Sequence, residues 1–106
     1  MRPFNVRVQE IKNLTQARKA LEEVGVDETG QTLMSPKAVF RVLRVDGLSS
    51  QAANILKQEM LSLGAEAGVD RGVVNCSVSR SSALLLGTVK HFRALDHKLR
   101  LQPFGL

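Results

Sequence analysis

Ala52, Ile55, Leu56, Met60 and Leu63 recur at intervals of three and four residues, the spacing that brings apolar side chains onto one side of an α-helix. A helix with a single apolar stripe has to lay that stripe on another layer, so the chain must build a packed two- or three-layer domain. The same spacing returns twice. Leu14, Ala17, Leu21 and Val24 form one further stripe, and Val89, Phe92, Leu95 and Leu99 form another. The flanking residues delimit these helices. Asn13 can cap the first, which ends where Gly25 can adopt a left-handed conformation. Ser49 or Ser50 can cap the second, which stops near Gly64. Gly87 and Thr88 open the third, and Pro103, with no amide proton to donate, closes it.

Between the stripes the period changes from 3.6 to 2. Phe4, Val6 and Val8 alternate with Asn5, Arg7 and Gln9, which predicts a half-buried strand. Residues 38–45 form a nearly continuous β-branched and aromatic run broken by Arg41 and Arg44, as suits a more central strand, and Gly47 then turns the chain. Val74, Cys76 and Val78 alternate with Asn75 and Ser77 as a third strand, and the apolar residues 83–86 give a short fourth. Residues 26–37, with Asp, Gly, Ser and Pro, read as a surface loop, and residues 64–68 as a corner rich in small residues. The expected fold is therefore α/β or α+β, a small mixed sheet of about four strands packed with three amphipathic helices. Helices after the first two strands suggest some parallel pairing, and the short link between the last two allows a hairpin. Strand order stays open.

A chain of 106 residues with 43% hydrophobic content supports one core and is read as a single domain over residues 1–106. One cysteine precludes an internal disulfide, and no apolar run approaches the roughly 18 residues of a membrane span. The alternating N-terminus differs from the continuous apolar core of a signal peptide, so a cytoplasmic location and no membrane partner are expected. The net charge of +5 is uneven. Acidic and basic side chains balance through residue 70, after which Arg71, Arg80, Lys90, Arg93, Lys98 and Arg100 face only Asp96. Such a basic surface raises nucleic acid as a partner. The chain has no Tyr or Trp to stack bases, however, and its four Phe occupy positions that suit a core. A domain-facing basic helix carrying Lys90, Arg93 and Arg100 is the better reading, and nucleic acid is not the expected partner.

No constellation of residues points to catalysis. His91 and His97 lie six apart, a rotation of about 240° that places them on different helix faces and prevents a shared metal. Cys76 falls in the apolar phase of its predicted strand, as a small buried hydrophobe would. Glu59 and Glu66 lack a cleft, and Gly64, Gly68 and Gly72 lack the flanking signature of a phosphate loop. Gly87-Thr88, at a strand-to-helix junction with Lys90 nearby, has better anion-site geometry but is a short, common pattern. Catalytic, cofactor-binding and metal-binding residues are therefore expected to be none. The polar residues Asn54, Lys57, Gln58 and Glu59 are spelled more specifically than packing requires, and with Lys90, Arg93 and Arg100 they are the candidate partner contacts.

That spelling, within Asn54-Ile55-Leu56-Lys57-Gln58-Glu59-Met60-Leu61, resembles one family. So do the opening of residues 1–8, the run of residues 36–48, Leu85-Leu86-Gly87-Thr88 and the close from Leu101 to Leu106. The chain looks like the N-terminal segment preceding the catalytic barrel in a subgroup of bacterial dihydropteroate synthases. Around Gly64 that family has paired glycines and paired alanines, where this chain reads Gly64-Ala65-Glu66-Ala67-Gly68. The resemblance implies a folate-biosynthesis transferase that joins para-aminobenzoate to a dihydropterin pyrophosphate on a (β/α)8 barrel of about 250 residues. It implies magnesium held by the substrate in the full-length enzyme, with none in this segment. The barrel, expected after Leu106, carries the family's pterin-binding motifs, and no catalytic residue transfers to these 106 positions. The expected partner is that C-terminal barrel of the same chain, with homo-oligomerisation open. The alternative reading is a stand-alone basic module that binds nucleic acid or protein, and a third is an independent small enzyme.

Overall fold

The computed structural model describes residues 4–101, which form two compact units divided after Val39. In the first, helix α1 (Leu14–Glu23) is capped by the Asn13 side chain, which accepts from the Gln16 amide at 2.8 Å, and Gly25 follows with φ +92°. The chain then enters α2 (Glu28–Met34) and a 3₁₀ turn over Ser35–Lys37, both packed on α1. The expected surface loop is thus helical. Asp27 accepts from the Gly30 amide at 2.7 Å as an N-cap, Glu28 sits in the first turn, and Pro36 sits inside the 3₁₀ turn.

The second unit follows the order β1 (Phe40–Ser49), α3 (Ser50–Ser62), β2 (Glu66–Val69), β3 (Arg80–Thr88) and α4 (Val89–Leu99). Its three strands pair entirely antiparallel in the order β1-β3-β2. The parallel pairing expected from the strand–helix alternation does not form. The crossover through α3 does leave β1 and β2 running the same way, but β3 inserts between them, which makes a split β-α-β unit. The chain is a mixed α/β fold, with four α-helices and three strands among the described residues.

Helix α3 shows how the apolar stripe reads out. Ser49 caps it by accepting from the Ala52 amide, and Gly64, with φ +81°, follows its end. Ala53, Leu56 and Met60 are buried, with Ala52, Ile55 and Leu63 on their flanks, so the stripe is centred on Ala53 instead of Ala52. Leu56 and Met60 pack with Ala67, Ala83 and Leu85 of the sheet and with Leu95 of α4. Burying each of these larger side chains contributes roughly 1.5–3 kcal/mol.

One face of the sheet receives α3 and α4. On it lie Ala67, Ala83 and Leu85, buried, and Val45, Leu48 and Val69, partly buried. Val45 and Leu48 are three residues apart and could not share a face of a regular strand. A bulge reconciles them: Val45 pairs with Ala83 and Leu48 with Ser81, so one strand spends an extra residue. Gly47, with φ +75°, occupies it. The strand therefore continues through Gly47, where a chain turn was expected. Ser82 donates to the Asp46 carboxylate at 2.5 Å and Arg44 pairs with it at 2.9 Å. These contacts hold the Asp46 carboxyl below its ordinary range.

Three strand expectations are corrected. Phe4, Val6 and Val8 are 61%, 79% and 92% exposed and form no strand, because the described sheet offers them no ladder. Residues 38–45 were expected to run centrally, yet β1 is an edge and is mostly exposed. The central strand is β3, which extends the short apolar run of residues 83–86 at both ends. Residues 74–78 form no strand: the turn that starts at Arg71 runs through Cys76, and a bend follows at Val78. There Asp70 accepts from the Gly72 amide, Asn75 accepts from the Ser77 amide, and the Ser77 amide also donates to Gly72. These local bonds satisfy backbone groups that a ladder would have used. Cys76 is consequently exposed, with φ +56°, and is not a buried strand hydrophobe. The second strand of the hairpin with β3 is instead the small-residue corner, β2.

Candidate functional site

The proposed contact residues divide between the outward faces of two helices. On α3, Asn54 and Gln58 are exposed and Lys57 is half-buried, away from the buried Ala53, Leu56 and Met60. Glu59 points to the seam between α3 and α4, where its carboxylate meets Lys98 at 3.3 Å while Lys98 also donates to Ser62 at 2.8 Å. That ion pair is intramolecular. This pairing is invisible in local sequence, because the two partners belong to different helices.

On α4, Leu95 is buried and Val89, Phe92 and Leu99 are half-buried, as the stripe predicts. Lys90, Arg93, His97 and Arg100 fall within about 80° of one another on the opposite side. All four are exposed. Arg100 pairs with Asp96 at 3.1 Å, whereas Lys90 and Arg93 make no ion pair among the described residues. The last helix thus presents a basic stripe one side chain wide. The stripe includes His97, on a different face from His91 as their spacing predicts.

The start of α4 is closed by its own residues. Thr88 accepts from the His91 amide, and His91 Nδ1 accepts from the Thr88 amide at 3.0 Å, a reciprocal capping box. Two of the amides that made Gly87-Thr88 a candidate anion site, those of Thr88 and His91, are engaged in this way. Gly87 is buried, and a Cβ there would meet both Ala65 and His91 at 3.2 Å. Close packing at this corner therefore rests on Gly87 against Ala65. Thr88→Ala is expected to cost about 1 kcal/mol in urea unfolding. His91→Gln, which keeps a side-chain acceptor, should cost clearly less than His91→Ala, and equal losses would show that the reciprocal bond contributes nothing.

The sheet face away from α3 and α4 carries an exposed apolar patch among charged and polar side chains. Phe40, Val42 and Leu84 are 55%, 53% and 43% exposed, and Leu86 is half-buried between them. Two shallow hollows lie at this sheet, one of about 270 Å³ beside Arg44, Gly68 and Leu84 and one of about 360 Å³ beside Phe40, Glu66 and Leu86. Phe4 and Phe40 are therefore exposed instead of core residues, and Phe104, like Pro103, lies outside the described residues. Among the described residues no three His, Cys, Asp or Glu side chains gather to hold a metal, and no helix is long and apolar enough to cross a membrane.

Comparison with known proteins gives two relatives. The chain is 36% identical over 97 residues to a probable bifunctional folylpolyglutamate synthase/dihydropteroate synthase of Halobacterium salinarum. That match covers 92% of this chain and 12% of the relative. It is 30% identical over 89 residues to a bifunctional dihydropteroate synthase/dihydropteroate reductase of Helicobacter pylori, covering 84% of this chain and 23% of that protein. No family model matches the chain, and no solved structure matches it. The chain thus corresponds to a small segment of two larger bifunctional proteins whose names share dihydropteroate synthase.

Proposed function

We propose that the chain is a non-catalytic N-terminal accessory domain of a folate-biosynthesis polypeptide, preceding the barrel of a dihydropteroate synthase. The supporting observation is the shared part of the relatives' names. Their second activities differ, folylpolyglutamate synthase in one and dihydropteroate reductase in the other, while dihydropteroate synthase is common to both. A segment similar in both belongs with the common activity.

In this reading the chemistry resides in the remainder of the polypeptide. The described residues offer no cluster of metal-ligating side chains for the magnesium that the resemblance implies. The domain contributes surfaces. The basic stripe of Lys90, Arg93 and Arg100 suits an acidic face of the same polypeptide, since it lacks aromatic side chains on which bases would stack.

The test compares the full polypeptide with a version lacking residues 1–106 and with the isolated chain. The isolated chain is expected to form no dihydropteroate, and removal of the segment should change turnover or oligomeric state of the remainder. Synthase activity in purified residues 1–106, or a remainder unchanged in both properties, would overturn the proposal.

A further inference from the structure

From the chain order of the second unit we infer that the free edge of β1 receives a further strand, antiparallel to β1 and supplied by the polypeptide beyond residue 106. The inference rests on the proposed place of this chain at the front of a longer polypeptide. Strand β1, helix α3 and strand β2 form a crossover that skips one position, and β3 fills that position. Strand β3 and helix α4 begin a second crossover of the same kind on the same sheet face.

Both positions beside β3 are taken, so a strand that follows α4 and runs parallel to β3 has to lie outside β1 or outside β2. Handedness decides between them. Crossovers between parallel strands of one sheet are right-handed, and β3 runs opposite to β1, so the hand that carries the chain from β1 toward β2 carries it from β3 toward β1 and past it. The completed order is β-α-β-β-α-β, in which each crossover encloses one strand.

The edge itself has the character of an inner strand. Residues 40–45 keep the β-branched and aromatic run of a central strand, although β3 is the one ladder partner of β1 among the described residues. Leu43 lies on the side that faces α3 and α4, opposite Leu85, yet it is 42% exposed where Leu85 is 3% exposed. A strand beyond β1 would cover it. Phe40 and Val42 are exposed on the other side, so the edge is apolar on both. The two arginines of this run fold back along β1, Arg41 onto the Phe40 carbonyl at 3.1 Å and Arg44 onto Asp46 at 2.9 Å. The bulge after Val45 ends the regular register, which sets the new ladder at residues 40–45. Five residues follow Leu101 in this chain, fewer than the six of that run and with Pro103 among them, which places the strand beyond residue 106.

The test is amide hydrogen exchange over residues 40–45 in the full polypeptide and in the 106-residue chain. In the 106-residue chain the β1 amides that point away from β3 are expected to exchange freely, and in the full polypeptide to exchange at least about tenfold more slowly. Leu43→Lys sets a charge in the middle of the ladder, a device by which natural edges resist pairing, and should abolish that slowing. Circular dichroism of the 106-residue variant checks that the fold persists, and the wild-type comparison decides even where it does not. Equal exchange in the two wild-type proteins would overturn the inference, as would slowing that survives Leu43→Lys. Slowing in the 106-residue chain that grows with its concentration would give the edge to a second copy instead. Dihydropteroate formation is measured separately. Unslowed amides in a polypeptide that makes dihydropteroate would sink this inference and leave the proposed function standing, whereas slowed amides in one that makes none would do the reverse.

Discussion

Truncation of Leu56 or Met60 to alanine is expected to destabilise the chain by about 2–5 kcal/mol. Leu56 is 3% exposed and Met60 fully buried, and both meet the sheet over Ala67 and Ala83. Those alanines decide the size of the effect. They have no spare side chain with which to fill the vacated volume, so the cavity stays open and adds to the lost transfer energy. Asn54→Ala, on the outward side of the same helix, should stay within about 0.5 kcal/mol. Urea unfolding with a common slope for all three variants would measure this. A loss below about 0.5 kcal/mol at Leu56 and Met60 would mean that α3 lies on the sheet by another face.

The helical part of the fold is legible in the sequence because a helix is specified locally. Asn13, Ser49 and Thr88 each cap within three residues, and of the stripes of α3 and α4, Leu56, Met60 and Leu95 are buried, with the other members on their flanks. Helix α2 escapes notice because Gly30 and Thr32 are weak helix formers, although Asp27 and Pro36 mark its start and the turn that follows it. Strands depend on partners elsewhere in the chain. Phe4, Val6 and Val8 have the right alternation and no ladder among the described residues, whereas residues 66–69 have little strand character and pair with β3.

The contact residues show the same division. Exposure of Asn54, Gln58, Lys90 and Arg93 follows from helical period alone. The role of Glu59 does not, because it depends on Lys98 in another helix. The exposed apolar patch is legible only once the order β1-β3-β2 brings Phe40 and Val42 beside Leu84 and Leu86.

Gly47→Val is expected to cost about 1–3 kcal/mol, and deletion of Gly47 to cost less than that substitution. The bulge explains this inversion of the usual order. Gly47 has φ +75°, a conformation that a β-branched residue adopts only with strain, and a Cβ there would meet nothing within 4 Å. Crowding is thus absent, and the cost of valine lies in the backbone. Valine could escape the strain only by straightening the strand, which would turn Leu48 from the core to the open face. Deletion removes the surplus residue itself. Val45 and Leu48 then stand two apart, Asp46 lies opposite Ser82 as its hydrogen bond already suggests, and Leu48 keeps its place against the core. What deletion loses is the bond from Arg80 to the Gly47 carbonyl, at 3.1 Å on the exposed side. Equilibrium unfolding of the two variants beside the wild type measures the order directly. A deletion more damaging than the valine substitution would show that Gly47 serves chain geometry beyond the bulge.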